Sequence, residues 1–267
     1  MTARLRNVAV SEGIFSRTNF SMNPLKLLVN GARGRMGQTV VACASAHPQF
    51  EVAGQVDLGD DLQVALPACQ VVIDFTQADA TATLAQVCEQ AGKILIIGTT
   101  GQDNNSRQRI ANSARTIPIV FAPNFSVGVN ALFWLTRKAV EILGPEFDLE
   151  VIEMHHRLKK DAPSGTAKRL AEILAEARGL SYEDNSRHGR TGMTGERTGT
   201  EIGLHAVRGG DVVGDHTVIY ANVGERLELS HKASSRETFA KGALRAAKWA
   251  TSQPPGLYDM QDVLGLK

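Results

Sequence analysis

Apolar residues in this chain of 267 residues follow two rhythms that take turns. Short continuous runs, Lys26-Leu-Leu-Val29, Val71-Val-Ile-Asp74, Lys93-Ile-Leu-Ile-Ile97 and Ile117-Pro-Ile-Val-Phe121, read as buried strands. Between them apolar positions recur at helical spacing: Met36, Val40, Val41 and Ala44 up to Pro48, then Leu84, Val87, Cys88 and Ala91 up to Gly92. A further strand, Glu51 to Val56, lies after the first of these helices. Strand and helix in alternation predict an α/β fold with a Rossmann-type, doubly wound parallel sheet, whose ligands bind beyond the carboxyl ends of the strands. Residues 128–143 are apolar nearly all round (Val129, Leu132, Phe133, Leu135, Val140), which predicts a helix buried between layers and stopped by Gly144-Pro145.

The rhythm then changes. Phe147, Leu149 and Val151 alternate into a polar stretch, 153–166, and Ala167, Leu170, Ala171, Leu174 and Ala177 follow at helical spacing with Gly179 as a stop. Residues 186–199, rich in Gly, Arg and Thr, have no periodicity and predict a functional or interface loop. Strand-like segments at 201–207, 217–220 and 225–230 have no helices between them. They predict an α+β substrate and oligomerisation domain with an open mixed or antiparallel sheet. Ser234-Ser-Arg-Glu237 has capping-box spacing and opens a last helix through Phe239, Ala243, Ala246 and Ala250 that returns to the first domain. The division that results is a dinucleotide-binding domain of residues 22–126 and 236–267, with a substrate-binding and oligomerisation domain of 127–235. Residues 1–21, with Arg4, Arg6 and Arg17 and a second methionine at Met22, read as a disordered or mis-started leader rather than a transit peptide.

Composition narrows the function classes. A net charge of +1 argues against a nucleic-acid partner, and the apolar runs are too short for a membrane span. Cys43, Cys69 and Cys88 have neither metal nor redox spacing and suggest buried thiols in a reducing compartment, hence a cytoplasmic protein.

Candidate chemistry gathers at strand ends. Gly31-Ala32-Arg33-Gly34-Arg35-Met36-Gly37 is a glycine-rich turn between a buried strand and a helix, where a pyrophosphate approaches the backbone and sits on the helix dipole. The second strand ends in Asp57, placed to accept hydrogen bonds from a ribose. Leu58, Asp60 and Asp61 beside it offer no cation to a 2′-phosphate, although Arg33 and Arg35 are within reach of one. The choice between NADH and NADPH stays open, leaning to NADH or dual use. Gly98, Thr99 and Thr100 end another strand, and their small size lets the nicotinamide half of a cofactor lie against backbone. Ala122, Pro123, Asn124 and Phe125 close the next; Thr99, Thr100 and Asn124 also read as side chains that merely satisfy their loops.

The stretch from Glu153 to Thr166 holds His155, His156, Arg157, Lys159 and Lys160 ahead of a Pro-Ser-Gly-Thr turn. Ser164 is placed as an N-cap, so the amides of Gly165 and Thr166 point out of a helix start where an anion can sit. Such a site suits a small, multiply anionic substrate that must receive a proton, and histidine titrates near working pH. Adjacent histidines in extended chain face opposite ways, so one of the pair faces the reacting atom. Adjacency also lacks metal-ligand geometry, and no metal is assigned. His188, His205, His216 and His231 receive no role.

The same stretch resembles the signature of the dihydrodipicolinate reductase (4-hydroxy-tetrahydrodipicolinate reductase) family. Val29 to Gly37, Gly98 to Gly101, Ala122 to Gly128 and His231 to Arg236 resemble family segments in family order, so the likeness spans the chain from Met22 onward. It implies His155 as general acid or base and Lys159 as a second proton donor, with His156, Gly165 and Thr166 binding the substrate. Cofactor contacts fall on Gly31 to Met36, Asp57, Gly98 to Thr100 and Ala122 to Phe125. The implied reaction is hydride transfer from NADH or NADPH to the cyclic imine formed from hydroxy-tetrahydrodipicolinate, in lysine and diaminopimelate biosynthesis, by a homotetramer. Leu58 stands where many members have arginine, and Leu158 where some have histidine. The alternatives are a redox-sensing regulator that binds NAD(P) without turnover, or a reductase of another small anionic imine or carbonyl.

Overall fold

Strands that are apolar at every position need cover on both faces, and the first sheet provides it. Residues 23–267 are described by a computed structural model; the expected leader lies outside them. In chain order the elements are β1 (Leu25–Asn30), α1 (Arg35–Ser45), β2 (Phe50–Val56), α2 (Leu62–Ala65), β3 (Val71–Asp74), α3 (Ala78–Gln90), β4 (Ile94–Ile97), α4 (Asn104–Ser113), β5 (Pro118–Phe121) and α5 (Val127–Leu143). There follow β6 (Asp148–His155), α6 (Gly165–Arg178), α7 (Tyr182–Asn185), β7 (Ser186–His188), β8 (Ile202–Arg208), β9 (Gly214–Asn222), β10 (Glu225–Ala233), α8 (Glu237–Ala250), β11 (Gly256–Tyr258) and α9 (Met260–Leu264).

The first sheet is parallel throughout, in the order β11-β5-β4-β3-β1-β2. Because successive side chains alternate across a strand, Leu27, Val29, Ile73, Ile96 and Val120 face α1, α8 and α9, while Leu28, Val72, Leu95, Ile97 and Ile119 face α3 and α4. Each such fully buried side chain contributes about 1.5–3 kcal/mol by leaving water. The doubly wound α/β class is thereby met. Helix α4 has no counterpart in the apolar rhythm because only Ile110 and Ser113 of it are buried; its start is instead fixed by Asp103, which accepts from the Ser106 amide at 2.7 Å.

The second sheet is mixed, β10-β9-β6-β8-β7, with β6, β8 and β7 parallel and β9 and β10 antiparallel. Helices α5 and α6 pack on its inner face against Leu149, Val151, Ile202, Leu204, Val218 and Tyr220. The buried Tyr220 hydroxyl donates to the carbonyl of Thr136 in α5 at 3.0 Å. Helix α5 is less enclosed than its sequence predicts: Leu135 and Ile142 face outward, and the buried side is the one carrying Val129, Leu132, Phe133 and Val140.

Two short connections join the halves, at Phe125-Ser126 and Ser234-Ser235. The Phe125 carbonyl lies against Gly242 of α8 so closely that any Cβ there would overlap it. The predicted capping box at Ser234–Glu237 does not form. Helix α8 begins at Glu237, whose carboxylate takes Lys241 one turn on at 2.7 Å, and the Ser235 hydroxyl accepts from the Glu237 amide instead. Cys69 and Cys88 are buried thiols, Cys43 is partly exposed, and the cysteines are unbridged.

Candidate active site

The glycine turn is shaped by contacts a side chain would block. Gly31 takes φ +81°, in the left-handed region, and a Cβ there would fall 2.7 Å from the Phe75 carbonyl. A Cβ on Gly37 would overlap the Gly31 carbonyl, so the turn and the first turn of α1 fit together only as glycines. Several loop amides are already engaged: Gly31 and Ala32 donate to Val56 O, Gly34 to Gly31 O, and Arg33 to the Asp57 carboxylate at 2.7 Å. The amides of Arg35, Met36 and Gly37 have no acceptor among the described residues, and no described side chain caps α1. Amides from Leu58 and Arg33 hold the Asp57 carboxyl below the usual range. The Arg33 guanidinium forks onto both oxygens of Asp60, at 2.9 and 2.8 Å, while Leu58 is fully solvent-exposed.

At the next strand ends the structure gives the small residues a different reason. The ring of Phe75 fills the space that a side chain on Gly98 would need. Gly98 therefore has to be small on that side to make room for Phe75. Thr99 is turned inward, its hydroxyl donating to Asp74 at 2.8 Å and accepting from the Thr76 amide at 2.8 Å. Asn30 and Thr76 also donate to Asp74, which is fully buried; burial pushes its pKa up against these bonds. Thr100 and Pro123 are exposed, whereas Ala122 and Phe125 are buried, Phe125 edge-on to Phe75 at 6.2 Å.

The polar stretch after β6 is tied to this edge by one hydrogen bond: Asn124 Nδ2 donates to Thr166 Oγ1 at 3.2 Å. Ser164 caps α6 as its type predicts, accepting from the Ala167 amide at 3.2 Å, and Gly179 closes the helix in the left-handed conformation. The amides of Gly165 and Thr166 have no acceptor among the described residues, and a Cβ on Gly165 would meet only open space. The Ala162–Pro163 peptide is cis.

His155 ends β6 on the inner, buried face; His156 has left the strand, its amide donating to Val212 O at 2.8 Å. His155 Nδ1 bonds Glu153 Oε2 at 2.5 Å. Glu153 is 1% exposed and also receives Arg208 Nη1 and Nη2 at 2.8 Å each and the Ser164 amide at 3.1 Å. His216 of β9 packs edge-on to His155 with centroids 5.2 Å apart, and its Nε2 lies 3.1 Å from Ser164 Oγ. Lys159 Nζ pairs with Asp161 at 2.9 Å, and Asp161 O accepts from Arg208. Burial lowers the His155 pKa more than Glu153 raises it. Burial also takes His216 down to about 3, so it is neutral.

Glu153, Arg208 and His216 are site neighbours to which the sequence reading gave no role. A signal existed. Glu153 shares strand parity with Leu149 and Val151, and His216 with Val218 and Tyr220, so both are polar groups on a buried face that require partners. On the other face of β6, Arg190 and Arg197 from the 186–199 segment reach back to Glu150, which His205 also touches at 2.7 Å. Among the described residues no three His, Cys, Asp or Glu side chains form a group able to hold a metal, and no helix is long and apolar enough to cross a membrane.

A glycine turn leading into an uncapped helix beside a parallel sheet, with the open start of a second helix hydrogen-bonded to the same sheet edge, is the layout of a dinucleotide-dependent oxidoreductase. Residues 25–125 match the family model for the N-terminus of dihydrodipicolinate reductase, and residues 128–264 the model for its C-terminus. A protein of Akkermansia muciniphila named 4-hydroxy-tetrahydrodipicolinate reductase is 56% identical over 242 residues, covering 91% of this chain and 98% of that one. One of the same name from Thiobacillus denitrificans is 47% identical over 265 residues, covering 91% and 99%. Among solved structures, the dipicolinate-bound dihydrodipicolinate reductase of Paenisporosarcina sp. TG-14 has the same fold, with a TM-score of 0.75 at 23% identity over 90% of this chain and 98% of that chain. The chain belongs to the dihydrodipicolinate reductase family.

Proposed function

We propose that the chain reduces 4-hydroxy-tetrahydrodipicolinate, through its dehydrated cyclic imine, to tetrahydrodipicolinate with NADH or NADPH, a step toward diaminopimelate and lysine. The observation that carries this reading is the Asn124–Thr166 hydrogen bond, which puts a helix start with unpartnered amides beside the dinucleotide-binding edge. The glycine turn fits a dinucleotide: its close contacts exclude side chains, and the unpartnered amides of Arg35, Met36 and Gly37 offer donors to a pyrophosphate. Gly31 to Met36, Asp57, Gly98 to Thr100 and Ala122 to Phe125 would hold the cofactor. Since Thr99 spends its hydroxyl on Asp74, it contributes only backbone. When bound, the nicotinamide supplies the hydride.

The remaining chemistry belongs to this chain's own residues. Gly165 and Thr166 amides, with His156, hold a carboxylate of the substrate. His155 delivers the proton from Nε2, and Lys159 is a second donor. Residues 22–126 and 236–267 serve the cofactor, and 127–235 the substrate and assembly. The outer face of the second sheet, with exposed Ile152 and Val207, supports a homotetramer assembled through these sheets, and the unbridged thiols support a cytoplasmic setting. Light scattering on the purified protein tests that assembly, a monomer counting against it.

The deciding assay supplies freshly condensed pyruvate and aspartate semialdehyde with either cofactor and follows absorbance loss. Oxidation dependent on both substrate and protein is the expected result. Cofactor binding without oxidation would overturn the reading in favour of a redox sensor.

A further inference from the structure

The Glu153 carboxylate is saturated. Oε1 accepts from the Ser164 amide and Arg208 Nη2, and Oε2 from Arg208 Nη1 and His155 Nδ1, so all four acceptor positions of an ionised carboxylate are used. An ionised carboxylate donates nothing, so the proton in the contact with His155 sits on Nδ1. The ring is then a fixed tautomer, and exchange of a proton with a ligand is left to Nε2. That nitrogen has no hydrogen bond among the described residues and lies where a Cβ on Gly214 would come within 2.9 Å, so glycine keeps its approach clear.

We propose that Glu153 is the positioning residue for His155, and that Arg208 limits it to orienting the ring by cancelling its charge. The proposal rests on His155 being the proton donor. A bare buried carboxylate would hold the imidazole as a permanent imidazolium, a poor source of protons near neutral pH. The forked guanidinium removes that bias. The other groups around the ring do not replace it: Lys159 is paired with Asp161, and His216 is neutral. His216 is buried, and its Nε2 is engaged with Ser164 Oγ, which also accepts from the Ala167 amide. Burial, with Lys159 and Arg208, keeps the His155 pKa below the ordinary histidine value in spite of Glu153.

Charge balance gives a test with opposite signs. In Glu153→Gln the Arg208 charge is uncompensated, so the His155 pKa falls and the tautomer is released. In Arg208→Met the carboxylate is bare, so the pKa rises. Glu153→Gln/Arg208→Met is neutral again, with a pKa near the starting value but without the orienting carboxylate. Full-length protein labelled at histidine nitrogens is titrated by NMR, and kcat/KM is measured against pH. Cofactor binding by fluorescence identifies the folded variants. The expected results are opposite shifts of about one unit or more in the two single variants, and a kcat loss on the order of a hundredfold in Glu153→Gln with KM for the cofactor unchanged. If a single variant does not fold, the double variant decides: an unchanged kcat there overturns the positioning role. Shifts of the same sign, or none, overturn the charge cancellation. NMR shifts of the expected signs with no effect on any rate would leave the charge cancellation standing and overturn the positioning role, whereas unchanged turnover in His155→Ala would be the failure of the functional reading.

Discussion

Of the three arginine-held carboxylates on strand β6, Asp148, Glu150 and Glu153, the last two lie on opposite faces and each touches a histidine. On the outer face, Glu150 meets Arg190, Arg197 and His205; on the inner face, Glu153 meets Arg208 and His155. The outer arginines come from a segment without regular structure, and Arg197 also bonds the Leu149 and Glu201 carbonyls. Gly203 leaves room for the carboxylate, since any Cβ there would overlap it. This cluster is a clasp: it fixes residues 190–197 to the sheet, and its histidine bonds the same carboxylate that the clasp already holds. The inner cluster is made of regular elements and the start of α6, and its histidine sits beside a helix start whose Gly165 and Thr166 amides have no acceptor among the described residues. Similar parts do different work according to what lies beside them.

The largest test of this contrast is His155→Ala against His205→Ala. The first should lower turnover by on the order of 10² to 10⁴ with dinucleotide affinity unchanged; the second should change turnover less than about threefold. Equal losses in steady-state assays would erase the distinction. Next comes acid stability. Burial works to raise the Glu150 pKa, but the bonds from Arg190, His205 and Arg197 prevail and hold it at about 2 against an ordinary 4.5. A depressed carboxylate stabilises the fold fully above its unfolded pKa. That contribution, at most about 3 kcal/mol, should disappear as pH falls from about 4.5 toward 2, and Glu150→Gln should flatten this part of a denaturant-midpoint profile. Limited proteolysis of the same variant should open the 190–197 segment first.

Smaller effects belong to the glycine turn, whose ligand groups are backbone. Asp57→Ala should weaken dinucleotide binding roughly tenfold with little change in kcat, measured by fluorescence titration. Asp60→Asn should have the least effect. It releases the Arg33 guanidinium and removes a negative charge beside a 2′-phosphate, so the ratio of NADPH to NADH affinity should rise by a few-fold, in keeping with less than about 1 kcal/mol for an exposed pair. A ratio that stays put would show that the Arg33–Asp60 contact does not steer the cofactor.

Much of the fold could be read from the chain because its signals are local. The continuous runs of β3 and β4, the Ser164 cap and the Gly179 stop each act within a few neighbouring residues. Asn124 and Thr166, picked from separate segments, lie within hydrogen-bond distance. What escaped was long-range or already spent. Ser164 and His216 are 52 residues apart, and nothing near either names the other. The inward duties of Thr99, whose hydroxyl bonds the buried Asp74, and of Gly98, which makes room for the Phe75 ring, were hidden for the same reason. The misread cap at α8 shows one local rule losing to another, as Glu237 reaches forward to the opposite charge of Lys241.

The order of the first sheet bears on how the chain is made. Its edge strand β11 and its covering helix α8 are translated after the whole second sheet, although β1 to β5 are translated before it. During synthesis of everything between, Leu27, Val29, Ile73 and Ile96 wait without the alanine-rich face of α8 that finally covers them. The half that leaves the ribosome first is therefore completed last, and a premature stop anywhere between β10 and β11 exposes the oldest part of the chain rather than the newest.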